Sequence, residues 1–189
     1  MRIAGILHES VVDGPGVRFV VFGQGCPHHC PGCHNPETWT REGGEERTVR
    51  ELLREIHKAP GWVKGITLSG GEPFLQAREM AELAARVHQQ GLNVVTYTGY
   101  TYEKLQEMAG EDESIARLLA ETDILVDGPF IEAQKDIGLR FRGSANQRVI
   151  DMKASRQEGK VVLLPEEAAG NGSGNSHAAA ITTANTNGT

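Results

Sequence analysis

Val17-Arg-Phe-Val-Val-Phe-Gly23 runs almost directly into Gly25-Cys26-Pro-His-His-Cys30-Pro-Gly-Cys33-His-Asn35, and the junction of these two stretches decides the fold. The first stretch is rich in β-branched and aromatic residues, so it reads as a buried first strand that ends in a glycine turn at Gly23 and Gly25. The second carries all 3 cysteines of the chain in a CxxxCxxC spacing. Disulfides among them would close only tiny loops and leave one thiol over, so the three read as ligands rather than staples.

Outward from this junction the chain alternates. Thr48-Val-Arg-Glu51 is a capping box, and Val49, Leu52, Leu53 and Ile56 fall at helical spacing, which predicts a helix over about 48–58 stopped by Pro60 and Gly61. Gly65-Ile-Thr-Leu68 is a short apolar strand closed by Ser69-Gly-Gly-Glu-Pro73. A helix with Met80, Leu83, Ala84 and Val87 on one face follows, with Gly91 as its stop. A strand over 92–98, a polar helical stretch over about 101–122 broken near Gly110, and a strand over 123–127 complete the pattern. Alternation of this kind predicts an α/β chain with a parallel sheet and crossover helices. Segments 139–143, 147–152 and 160–164 are candidate edge strands. From 165 to 189 the sequence is mostly Ala, Gly, Asn, Ser and Thr, too poor in apolar residues to offset its ordering entropy, and reads as a disordered low-complexity tail. Residues 1–164 are expected to form one domain.

Three thiolates on one loop suit a cubane iron–sulfur cluster, which has four iron corners and so keeps one corner open for a ligand that is not protein. Pro27, Pro31 and Gly32 suit such a loop, proline restricting it and glycine letting the backbone come close. On the residues alone, a Cys3His zinc site drawing on His28, His29 or His34, or a redox thiol cluster, stands beside this reading.

The CxxxCxxC loop after the first strand of an alternating α/β chain resembles the signature of the radical S-adenosylmethionine (SAM) superfamily. Val12-Asp-Gly-Pro-Gly-Val-Arg18 and Cys33-His-Asn-Pro-Glu-Thr-Trp39 resemble the glycyl-radical-enzyme activating family. Tyr97-Thr-Gly-Tyr100, Asp123-Ile-Leu-Val-Asp-Gly-Pro-Phe130 and Arg140-Phe-Arg-Gly-Ser-Ala-Asn-Gln-Arg148 are similar to its members that activate anaerobic ribonucleoside-triphosphate reductase. The resemblance covers about residues 8–153. It implies a shortened, open partial (β/α) barrel, with a [4Fe-4S] cluster on Cys26, Cys30 and Cys33. SAM would be bound by the backbone of Gly32, Cys33 and His34 and by Gly70, Gly71 and Glu72, the last accepting from the methionyl ammonium. No catalytic side chain beyond cluster and SAM is implied. The implied partners are a glycyl-radical enzyme and a low-potential electron donor such as flavodoxin or ferredoxin. The segment over 19–39 is equally close to pyruvate formate-lyase activators, and an iron–sulfur electron carrier is the rival from another class.

The remaining positions divide less sharply. Asp127 reads as a ligand contact or a solvated turn, Arg18 as a cluster-side cation or an outward strand position. Arg140, Arg142 and Arg148 read as a docking strip or a solvated edge. His8, His57 and His88 read as surface groups. A formal net charge of -6 provides no cationic field for nucleic acid or an anionic membrane, and no apolar run reaches the roughly 18 residues of a membrane span, so a cytoplasmic protein is expected.

Overall fold

A computed structural model describes residues 1–165, so the expected tail lies, save its first residue, outside the described residues. Among the described residues seven strands form one sheet: β1 Arg2–Ser10, β2 Val17–Gly23, β3 Glu45–Glu46, β4 Val63–Gly70, β5 Asn93–Tyr97, β6 Ile124–Asp127 and β7 Arg148–Asp151. Their spatial order is β3-β1-β2-β4-β5-β6-β7. The four central strands, β2, β4, β5 and β6, are parallel, as strands joined by helical crossovers must be. β1, β3 and β7 pair antiparallel at the two flanks, and the outer side of β7 is met in turn by residues 162–164.

The helices are α1 Val49–Ile56, α2 Ala77–His88, α3 Tyr102–Ala109, α4 Glu113–Ala120 and α5 Met152–Glu158. The capping box at Thr48 forms as read: the Thr48 hydroxyl accepts from the Glu51 amide while the Glu51 carboxylate accepts from the Thr48 amide. The stretch over 101–122 is two helices. Gly110 closes the first, and the Asp112 side chain caps the second by accepting from the Ser114 amide.

Period-2 alternation divides the sheet into two faces. Phe19 and Val21, Ile66 and Leu68, Val94, Leu125 and Ile150 join Leu52, Met80, Leu83, Val87 and Leu118 in the single apolar core. The other face carries Arg18, Thr67, Val95 and Tyr97, beneath the loops around 11–16 and 128–147.

Three strand expectations need correction. β2 is not the first strand: β1 precedes it, and only Ile3 and Ser10 of β1 are buried, so its apolar pattern is too broken to announce a strand. Residues 139–143 form a loop, with Phe141 in the left-handed region at φ 59°, and 160–164 contribute only a bridge from Leu163 to Ile150. Arg148–Asp151 is the one edge strand of the three. Among the described residues no helix is long and apolar enough to cross a membrane.

Candidate iron–sulfur and cosubstrate site

The cysteine loop leaves the carboxyl end of β2, and the Gly70-Gly71-Glu72 turn leaves the carboxyl end of β4 beside it, with Gly23 paired to Gly70. The two are clamped through backbone: the Gly71 amide donates to Gly23 O and the Glu72 amide to Gly25 O, both at 2.8 Å. A Cβ on Gly71 would run into the Gly25 carbonyl, and one on Gly70 into the backbone of Phe22 and Gly23. Glycine at both positions is therefore demanded by the packing of the turn under the cysteine loop, and not only by access for a ligand.

A cavity of about 210 Å³ opens over these strand ends. Cys30, Cys33, His34, Gly70 and Gly71 line it, as do Asp13, Ser69, Tyr97, Thr98, Gly99, Phe130, Gly143 and Gln147. Parallel α/β folds place ligands at this edge. Cys26, Gly32 and Glu72 lie outside that lining. The Glu72 carboxylate is 1% exposed and turned away into the protein: Oε1 accepts from the Phe74 amide, and Oε2 from the Gly99 amide and His28 Nε2, with the Thr98 hydroxyl shared between the two oxygens. The expected ammonium acceptor is already filled by protein donors.

The loop itself is shaped for sulfur ligands. Cys33 Sγ accepts from the Asn35 amide at 3.4 Å, and the backbone of His28 and His29 runs past Cys26 Sγ with its N–H dipoles favouring the thiolate. Burial pushes the Cys26 thiol up, the nearby Glu72 and Cys30 add to this, and the two amides pull the other way without reversing it. His29 sits at φ 46° and stacks on Trp39 with ring centres 5.0 Å apart. The Trp39 indole N–H is buried with no partner, a donor held in reserve close to the loop.

Three thiols on one strand-end loop, a backbone amide already donating to one of the sulfurs, and an adjoining cavity fit an iron–sulfur cluster. The surroundings of the three histidines do not favour a zinc site. His28 is bonded to Glu72, His29 stacks on Trp39, and His34 lies 5.4 Å from the Phe130 ring. Among the described residues no three His, Cys, Asp or Glu side chains converge as a single ion requires.

Several residues left open by the sequence turn out to be structural. Arg18 is fully buried on β2, where its guanidinium donates to the Ile66 and Asn93 carbonyls, the Asn93 side chain and Thr67 Oγ1, and burial lowers it to about 10. Asp127 is 1% exposed; it accepts from the Tyr102 amide at 2.7 Å and pairs with Arg148, which also forks onto Glu103. Arg148 is thus committed inside the fold, and the docking strip is reduced accordingly. Gln147, Ser144 and Asn146 knot residues 143–147 to the loop over 128–131, which sets Phe130 against the cavity. Asp13, Thr98, Gly99, Phe130, Gly143 and Gln147 were not singled out individually, but each falls inside a motif quoted above.

A family model described as a 4Fe-4S single cluster domain matches residues 12–150. The chain is 38% identical over 145 residues to the anaerobic ribonucleoside-triphosphate reductase-activating protein of Vibrio cholerae, covering 73% of this chain and 90% of that one. It is 34% identical over 156 residues to the protein of the same name from Salmonella typhimurium, covering 79% and 97%. A pyruvate formate-lyase-activating enzyme from Clostridium pasteurianum is 39% identical over 112 residues, but these span 57% of this chain and 47% of that enzyme. The chain therefore belongs to the 4Fe-4S single cluster family and, within it, to the radical SAM activating enzymes that include the anaerobic ribonucleoside-triphosphate reductase-activating proteins.

Proposed function

We propose that this chain, as a shortened partial (β/α) barrel working in the cytoplasm, cleaves SAM at a [4Fe-4S] cluster and installs a glycyl radical on an anaerobic (class III) ribonucleoside-triphosphate reductase. A cluster held by Cys26, Cys30 and Cys33 would supply a low-potential electron for reductive cleavage of the SAM sulfonium, the chemistry needed to remove a hydrogen atom from a glycine Cα of the reductase. A low-potential donor of the flavodoxin or ferredoxin class replaces that electron.

The protein's own residues bind, orient and exclude. Cys26, Cys30 and Cys33 supply three thiolates. The backbone of Gly32, Cys33 and His34 on one side, and of Gly70 and Gly71 on the other, frames the cosubstrate. Phe130 and Tyr97 give the cavity apolar walls that keep water from a radical. An outer cavity of about 690 Å³ shares Asp13, His34, Tyr97 and Gly143 with the inner one and is lined in part by Val11, Val12 and Ile137, which are 62, 70 and 96% exposed. Exposed apolar residues grouped at a site mark an interaction surface, here assigned to the target's glycine-bearing segment.

The observation that carries this reading is the seating of the three-thiol loop beside the Gly-Gly turn at the carboxyl ends of parallel strands. The choice of reductase over pyruvate formate-lyase rests on extent: the two reductase activators align along 90 and 97% of their own length, two lyase activators along 47 and 59% of theirs. Anaerobic reconstitution, followed by electron paramagnetic resonance with and without SAM, tests the reading. A reduced-cluster signal that SAM perturbs, with 5′-deoxyadenosine released, is expected. A signal indifferent to SAM identifies an electron carrier instead.

A further inference from the structure

We infer that Glu72 and His28 act as one positioning unit that presets the arc from Cys26 to Cys30, and that Glu72 does not contact the cosubstrate's amino group. The inference rests on the cluster reading of the three cysteines above.

A carboxylate offers about four lone-pair directions. Glu72 fills them with four donors: the Phe74 amide at 3.1 Å, the Gly99 amide at 2.9 Å, the Thr98 hydroxyl at 3.0 Å and His28 Nε2 at 2.8 Å. An incoming ammonium would have to displace one of them in a site closed to water. Three of the four come from the β4 turn and the β5 end, and so fix the carboxylate to the sheet. The fourth, His28, belongs to the cysteine loop, midway between Cys26 and Cys30.

The niche for His28 is built around that bond. Its ring meets Tyr100 edge-on with centres 4.4 Å apart, and a Cβ on Gly99 would stand inside the imidazole. A carboxylate accepts only, so Nε2 carries the proton and the ring orientation is set. His28 thus anchors the arc to the sheet through its side chain, while the Glu72 amide, donating to Gly25 O, holds the start of the same loop. A buried polar network that is fully satisfied fixes geometry in this way.

The test uses His28→Ala, Glu72→Gln, their double variant, and His28→Gln, whose side-chain amide retains a donor. Hydrogen exchange of the amides over 26–33 is measured in the apo protein, then iron content after reconstitution, then the SAM dissociation constant of the cluster-loaded fraction. Expected are about tenfold faster exchange and severalfold lower iron occupancy in both single variants, no further loss in the double, and recovery in His28→Gln. SAM affinity of the loaded fraction should stay within about twofold. Tenfold or greater loss of SAM affinity in Glu72→Gln, with exchange and iron normal and His28→Ala silent, would overturn the inference. Failure of wild-type protein to take up iron would instead sink the cluster reading, since the exchange measurement needs no cluster.

Discussion

A thiolate has no spare on the cysteine loop, because the chain carries only 3 cysteines and all of them lie there. Serine at Cys26, Cys30 or Cys33 is therefore expected to reduce 5′-deoxyadenosine formation to below about one hundredth of wild type, read by chromatography after anaerobic reconstitution. Gly71→Val is expected to lower iron loading as well as SAM binding, because the new side chain drives into Gly25 O and displaces the loop that carries Cys26. Normal iron content with only SAM binding lost would place the constraint on the ligand side. The cysteines were legible from the sequence as one group, because all 3 fall on a single short loop after a strand. The inward turn of Glu72 was not legible, because its partners Thr98 and Gly99 lie 26 and 27 positions away and His28 lies 44 away. No local pattern records which way a turn carboxylate faces.

Elements that announce themselves by period were readable: α1 by its capping box, α2 by its apolar stripe, and β4 to β6 by short β-branched runs between stops. Elements whose existence depends on a distant partner were not. β1 is half exposed, and β3 is the pair Glu45–Glu46 with no apolar signal, held only by pairing with Arg2 and Ile3. One contact between elements gives a pH signature. His88 ends α2 and is bridged by Glu121 after α4, Nδ1 at 2.8 Å, and by Asp123 before β6, Nε2 at 2.9 Å. Partial burial pulls its pKa down, but the hydrogen bonds to Asp123 and Glu121 outweigh this and the net shift is upward from 6.5. A folded-state pKa above the unfolded one gives stabilisation that is complete below about pH 6.5 and lost as pH rises through the folded value. Denaturant titrations from pH 6 to 8.5 should show wild type losing up to about 1 kcal/mol relative to His88→Gln, the figure being limited by solvent screening of half-exposed groups. A constant difference across that range would remove His88 from the pH dependence.

At the scale of the molecule, an open sheet with four parallel central strands brings two loops, far apart in sequence, to one edge and leaves the apolar residues Val11, Val12 and Ile137 exposed around the mouth. The chemistry shared by reductase and lyase activators sits in the loop over 19–39, so discrimination between targets must come from surfaces outside it. The segments over 97–100 and 140–148, whose sequence resembles the reductase activators, contribute to the cavity walls and are the surfaces to which the proposed choice of target is assigned. The direct measurement is to mix the reduced, SAM-loaded protein anaerobically with an anaerobic ribonucleoside-triphosphate reductase or with pyruvate formate-lyase and to record the glycyl-radical doublet by electron paramagnetic resonance. A strong doublet on the reductase and at least tenfold less on the lyase is expected; a doublet on the lyase with none on the reductase would contradict the assigned target.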